Sequence, residues 1–333
     1  MPLSPSPVDR SLSAPPLFRS PQPFATARAP ASIANIGVGF DVLGHSFDAL
    51  HDRVRVRRID ERRVTVKAIH SMSATCVDVA KIPLDAERNT AARAVDELCR
   101  GRNLRFGFEI EIDKGIPLAA GLGGSAASAV AAVVAAAELV DDVVPEDELY
   151  HCALVGEAAA SGAQHGDNVA ASLRGGLVSV GAGGMCSLAL PDGIHVVVVR
   201  PDCQLPTKEA RAALSESVGL HTHVSQSSRL LTFALGCERD DLDLIRASFG
   251  DEVAEPARAR YLPHLETARH AALDHGALGA GISGAGPSVF AWFPPHSEPN
   301  RGAVAMAAAV EQAGYAATIF EARLSGQGAK VVS

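Results

Sequence analysis

The segment Pro117–Ser128, PLAAGLGGSAAS, restricts what this chain can fold into more than any other stretch of it. Before it, Phe106, Phe108, Ile110 and Ile112 alternate with polar or small residues, which predicts a half-buried strand. After it, Ala126–Val140 is a run of mostly Ala and Val that suits a buried core helix. Strand, glycine-rich loop and buried helix in that order can make an anion site. Glycines let the backbone come close to the anion, and the first helical turn presents unpaired N–H groups and the positive end of its dipole. Ser125 falls at or near that turn, where its hydroxyl can meet a phosphate oxygen or Mg²⁺. The loop lacks both the Gly-Lys-Ser/Thr ending of a Walker A loop and the G-x-G-x-x-G dinucleotide fingerprint. Glycines before an Ala-rich helix also make plain tight turns, so the loop needs company.

Around it the chain alternates strands and helices without a strict βαβ rhythm. Val54, Val56 and Ile59, then Val64 and Val66, flank Asp60-Glu61-Arg62 and predict a β-hairpin, with the arginines of 53–63 on a solvated face. Asn89 reads as the N-cap of a helix through Arg100, stopped by Gly101. His195–Val199 predicts a strand, followed by helices near 207–218, 225–236, 239–248 and 262–274. The glycine-rich turn Gly281–Gly286 leads into a strand at Ser288–Phe293, and a helix over 302–313 and a strand near 316–322 complete the pattern. With 333 residues, this is an α+β chain of two domains, its boundary near 180–193. Residues 1–23, rich in Pro and Ser, read as a disordered tail with a faint likeness to a transit peptide.

A net charge of −8 and 5% aromatic residues argue against a nucleic-acid partner. Six cysteines without a C-x-x-C pair read as reduced thiols of a cytoplasmic protein, and they offer no zinc spacing. No apolar run approaches the roughly 20 residues that span a bilayer, so no membrane partner is expected.

Two further segments accompany the loop. Ala29–Gly44, APASIANIGVGFDVLG, sets Asn35 and Asp41 among glycines, and Gly281–Pro287, GISGAGP, lies near the end. Three such segments in this order identify the chain as a member of the GHMP kinase superfamily (galactose, homoserine, mevalonate and phosphomevalonate kinases). The resemblance covers about residues 24 to 331. It implies a two-domain fold: an ATP-binding, ribosomal protein S5 domain 2-like half at 24–190, and a ferredoxin-like α/β sandwich at 191–333.

Within the superfamily the sequence resembles the homoserine kinases. Asn35–Gly44 matches their first motif almost throughout, and His165-Gly166-Asp167-Asn168-Val169-Ala170 is similar to their H-P-D-N-V-A, with Gly166 in place of proline. Thr207–Arg211 and Glu255–Arg258, the latter followed by Leu262-Pro263, also match. The resemblance implies that Pro117-Leu118-Ala119-Ala120-Gly121-Leu122-Gly123-Gly124-Ser125-Ala126-Ala127 cradles the triphosphate of ATP and that Ser125 and Glu157 hold Mg²⁺. Asn89 is placed by analogy at the adenine, although its capping role already accounts for it.

For L-homoserine as substrate, Arg211 and Arg258 would grip the carboxylate, since the planar guanidinium fork fits one bidentately; Arg260 is an alternative to Arg258. Asp41 and Asn35 would accept from the ammonium, and Thr207, His165 and Gly284 would line the same pocket. Homoserine kinases place an Asn, here Asn168, where relatives carry a basic Asp, so the hydroxyl proton would pass to the γ-phosphate. Asp167 is the second candidate for a base. Lys114 is either a phosphate-neutralising group or an exposed loop lysine. A homodimer making O-phospho-L-homoserine for threonine biosynthesis is the expectation. Another GHMP kinase, of mevalonate or shikimate type, and a non-catalytic sensor are the alternatives.

Overall fold

The structure is a computed structural model that describes residues 23–72, 79–161, 166–205 and 207–332. The predicted tail, all but Pro23, therefore lies outside the described residues, as do Cys76 and His165 and the side chain of Thr207.

The first part of the chain forms β1 (Phe24–Ala34), β2 (Leu43–Ile59), β3 (Val64–Ser71), α1 (Thr90–Gly101), β4 (Gly107–Lys114), α2 (Gly124–Ala137), α3 (Glu146–Ser161), α4 (Gly166–Arg174), β5 (Leu177–Gly181) and β6 (Gly184–Leu188). The second part forms β7 (His195–Pro201), α5 (Thr207–Ala212), α6 (Leu220–Glu238), α7 (Leu242–Ser248), α8 (Glu255–Arg258), α9 (Leu265–Asp274), β8 (Gly279–Ile282), β9 (Val289–Phe293), α10 (Pro299–Gln312), β10 (Ala317–Arg323) and β11 (Lys330–Val332).

The first sheet runs β11-β1-β2-β4-β3, with β5 on β2 and β6 on β5. This corrects the predicted hairpin. Val54–Ile59 and Val64–Val66 are strands, but they do not pair; β4 lies between them, antiparallel to β2 and parallel to β3. Two features account for the insertion. Phe108, Ile110 and Ile112 are buried, as befits a central strand. Gly107 passes so close under the turn that a Cβ there would stand 2.0 Å from the Arg63 carbonyl oxygen. The arginines of β2 do face outward, with Arg57 bonded to Glu109 at 2.9 Å.

The second sheet runs β10-β7-β9-β8, antiparallel throughout. Taken with its helices this is β-α-β-β-α-β in the ferredoxin-like order. Strand β8 was hidden in the glycine-rich segment, where Gly279-Ala280-Gly281-Ile282 carries no alternation.

Helix α2 is buried nearly all round, with Ala126, Ala127, Val130 and Val133 fully covered by β1, β2 and the helices α1 and α3. One core spans both sheets, and at their seam the Trp292 indole N–H donates to His45 Nε2 at 3.2 Å. Burial pushes the His45 imidazole down to about 4, which keeps it neutral. Strand β11 crosses back to pair with β1. Among the described residues no helix is long and apolar enough to cross a membrane, and no disulfide joins the cysteines.

Candidate active site

The three glycine-punctuated segments meet at one place. The Ser32 N–H donates to Leu122 O at 3.2 Å, which ties β1 to the loop before α2. The Ser283 hydroxyl donates to Gly121 O at 2.7 Å, and the Gly284 N–H to Ala34 O at 3.2 Å. Asn35 closes the triangle, its Nδ2 donating to Gly284 O at 2.9 Å. Gly121 must lack a side chain for this, since a Cβ there would stand 2.3 Å from Ser283 O. Its φ of +75° belongs to the left-handed region as well.

Above this junction lies a cleft of about 340 Å³. It is lined by the loop Pro117–Ser125 with Asn89, and by Asn35, Asp41, Arg211, Arg258 and Gly284. Asn168, Asp167 and Glu157 also line it. Of the sequence-predicted loop residues, Ala126 and Ala127 do not line the cleft; both belong to α2 and are buried in the core. The Ala127 N–H is already bonded to Gly123 O at 2.9 Å, so it has nothing to offer an anion. The N–H groups at the very start of α2 are the ones a helix leaves open to a phosphate.

Asn89 caps α1: its Oδ1 accepts from Ala91 and Ala92, and its Nδ2 donates to Pro83 O. It lines the cleft with its amide already engaged.

Ser125 donates its hydroxyl proton to Glu157 Oε1 at 3.0 Å. Glu157 is only 5% exposed, and burial pushes its carboxyl up to about 7. Asp167 is likewise buried and pushed up to about 7, again chiefly by desolvation. Its Oδ1 accepts from the Asn168 backbone N–H at 2.8 Å and lies 3.4 Å from the Asn168 Nδ2.

Also at the cleft, Arg211 Nη1 bonds to Asp41 Oδ2 at 2.5 Å. Arg258 is buried, with Nη1 donating to Gly284 O at 2.9 Å. The guanidinium carbons of Arg211 and Arg258 each lie 5.5 Å from the centroid of the Phe40 ring, so one aromatic ring contacts both cations. Arg260 instead bonds the Tyr261 hydroxyl at the surface. Asp41 sits at φ +57°, with its N–H held by Asn35 Oδ1, so the segment's left-handed turn presents the carboxylate.

Lys114 is a correction. It is 2% exposed, not an exposed loop lysine, and it is ion-paired with the fully buried Asp52. Its ammonium also donates to Gly124 O at 2.8 Å and to the Ser128 hydroxyl at 2.9 Å, directly beneath the first turn of α2. Sequence reasoning passed over Asp52, Phe40 and Ser32. Phe40 stood in plain view between Gly39 and Asp41, but a single aromatic beside a glycine carries no distinguishing signal.

Comparison with known proteins agrees with this geometry. The GHMP kinases N terminal domain matches residues 89–176 and the GHMP kinases C terminal domain matches 234–312. A homoserine kinase of Xanthomonas campestris is 48% identical over 88% of this chain and 87% of its own length. One from Xylella fastidiosa is 44% identical over 92% of this chain and 94% of its own. The crystal structure of homoserine kinase from Cytophaga hutchinsonii superposes with a TM-score of 0.88, at 33% identity, covering 95% of this chain and 99% of that one. A cleft floored by helix N–H groups and walled by a carboxylate and two guanidinium groups, in a chain with these relatives, places it plainly: it belongs to the homoserine kinase family of the GHMP kinases.

Proposed function

We propose that this chain transfers the γ-phosphoryl group of ATP to the side-chain hydroxyl of L-homoserine, giving O-phospho-L-homoserine for threonine biosynthesis. One observation carries the reading. The glycine-rich loop with the start of α2, the Asp41–Arg211 pair and Asn168 all line a single cleft. An amino acid brings both charges that such a lining complements, its carboxylate for Arg211 and Arg258 and its ammonium for Asp41 and Asn35.

Phosphoryl transfer depends on positioning and on neutralising the charge that spreads over the phosphate oxygens. The open N–H groups at Gly124 and Ser125 would hold the phosphates. Ser125 and Glu157 are the residues that would hold Mg²⁺, and they fit it: two hard oxygen donors 3.0 Å apart, one of them a buried carboxylate that a cation would return to its charged form. Among the described residues no group of three or more His, Cys, Asp and Glu side chains could hold a metal. A kinase Mg²⁺ needs fewer, because the phosphates themselves complete its shell. The bound ion would add charge neutralisation at the phosphates.

Asn168 cannot take a proton, so the hydroxyl proton goes to a γ-phosphoryl oxygen as the new P–O bond forms. The family resemblance also supports a cytoplasmic homodimer, for which light scattering on the purified protein is the measure. The function is tested by ADP release with homoserine, mevalonate, shikimate and galactose side by side. Homoserine is expected to give the highest kcat/KM; a higher value for any of the others overturns the reading.

A further inference from the structure

We propose that Ser32 is a positioning residue for phosphoryl transfer: its hydroxyl holds the Asn168 amide, in the orientation that Asp167 selects, toward the acceptor alcohol and couples that amide to the phosphate loop. The inference rests on the reading above that Asn168 meets the substrate hydroxyl.

Ser32 is fully buried in β1, between Ala31 and Ile33, both of which are buried too. A hydroxyl there must be hydrogen-bonded or it costs stability. It donates to Asn168 Oδ1 at 2.8 Å, a contact spanning 136 positions of sequence. The same residue's N–H holds Leu122 O. Gly123, the next residue, lies directly on the pair: a Cβ there would stand 2.0 Å from Ser32 Oγ and 2.8 Å from Asn168 Oδ1. Ser32 therefore touches the phosphate loop through its backbone and the substrate amide through its side chain.

The orientation of the amide has a chemical consequence. An Asn amide offers an accepting oxygen and a donating NH₂. Ser32 takes up the oxygen. On the other side Asp167 Oδ1 already accepts from the Asn168 backbone N–H, and it lies 3.4 Å from Nδ2. A flipped amide would set its carbonyl oxygen against that accepting oxygen. Asp167 thus selects this arrangement, the bond donated by Ser32 holds it in place, and the NH₂ is the end left to meet a ligand.

An alcohol oxygen that accepts a hydrogen bond from Nδ2 has its own O–H free to point at the γ-phosphate. In the transfer the alcohol oxygen forms a bond to the γ-phosphorus while the bond from that phosphorus to the β,γ-bridging oxygen breaks. The bridging electron pair leaves with ADP, and the alcohol proton ends on a γ-phosphoryl oxygen. If the amide oxygen faced the alcohol instead, it would capture that proton's hydrogen bond and turn it away from the phosphate.

The test is steady-state kinetics of the full chain with homoserine and ATP, for wild type, Ser32→Ala, Asn168→Ala and the double variant, with Ser32→Cys as a same-sized side chain that donates poorly. Misplacing a reacting group by about an ångström costs on the order of 100-fold. Ser32→Ala is expected to lower kcat about 10- to 100-fold while the KM for ATP stays near wild type, and to cost nothing further once Asn168 is Ala. Ser32→Cys is expected to show the same split, and it stands in for Ser32→Ala should that variant not fold. Wild-type kcat in either Ser32 variant, or a Ser32 effect that persists undiminished on the Asn168→Ala background, overturns the assignment. A wild type that turns over no homoserine overturns the proposed function with it, which is a different result from an active wild type with an indifferent Ser32.

Discussion

Asp41 and Arg211 hold one another at the lining of the cleft, Oδ2 to Nη1 at 2.5 Å, where the proposed function would seat a zwitterion's two charges. Each is about a third or more exposed, and ion pairs of that kind are worth roughly 0–1 kcal/mol, so a ligand can part them at small cost. On the proposed function, an incoming ammonium would replace Arg211 at Asp41, and an incoming carboxylate would replace Asp41 at Arg211. Asp41→Ala is therefore expected to raise the KM for homoserine at least about tenfold, the loss of one charge-assisted hydrogen bond. Mevalonate carries no ammonium, and any use of it is expected to change far less. Initial rates against each substrate decide the matter, and an equal loss with both contradicts the ammonium role.

Asp167 is the only acidic neighbour of Asn168 in the described hydrogen-bond network, but its Oδ1 is committed to Asn168 itself. Asp167→Asn keeps an acceptor oxygen there and is expected to retain a substantial fraction of kcat. General base catalysis is worth about 10²–10⁴, so a fall of a thousandfold in single-turnover rate would make Asp167 the base and Asn168 a bystander.

Glu157, pushed up to about 7 from 4.5, makes the fold sensitive to pH. Between those values the folded chain holds a proton that the unfolded chain has released, so this group's contribution to stability falls as pH rises through that window. His45 works the other way: its lowered value makes stability rise with pH between about 4 and 6.5. Comparing variants cancels the histidine. Glu157→Gln is expected to lose less melting temperature than wild type on going from about pH 5 to 7, measured without nucleotide or metal. The same slope in both proteins would show that Glu157 is ionised throughout.

Lys114 and Asp52 are buried, with side chains 3% and 0% exposed. Removing one partner of such a pair leaves an uncompensated charge in the interior, which costs about 3–5 kcal/mol. Lys114→Met is expected to lose stability on that scale by urea unfolding. Because the ammonium also holds Gly124 O, nucleotide affinity is expected to weaken with it. A variant as stable as wild type would mean that Asp52 is satisfied by Gly115, Ile116 and Ser128 alone.

The loop and its helix were legible in the sequence because each is local, whereas the charged residues Asp41 and Arg211, 170 positions apart, were reached through the family resemblance. Glycine spacing, an Ala-rich run and a strand alternation can be read a dozen residues at a time. What escaped reading is long-range. The stretch Val54–Val66 carries every mark of a hairpin, and nothing within it tells that β4, some forty positions on, will separate its arms. Strand β1 carries five alanines among its eleven residues and is buried on both faces from Ala29 on, so it shows no sustained alternation of large apolar side chains. Lys114 looked like a loop residue because its partner, Asp52, is distant in sequence and sits among arginines. Ser32 is one serine among many until the fold brings Asn168 to it.

The bond from Trp292 to His45 has a use beyond holding the sheets together. Trp292 is the chain's sole tryptophan, and it joins the strand β9 of one sheet to β2 of the other. The protein thus carries a native fluorophore at the junction of its halves, surrounded by Phe233 and Phe249 and shielded from water. Any hinge opening that parts the sheets during turnover must expose that indole and shift its emission to the red, so the enzyme's own light reports the motion without a label.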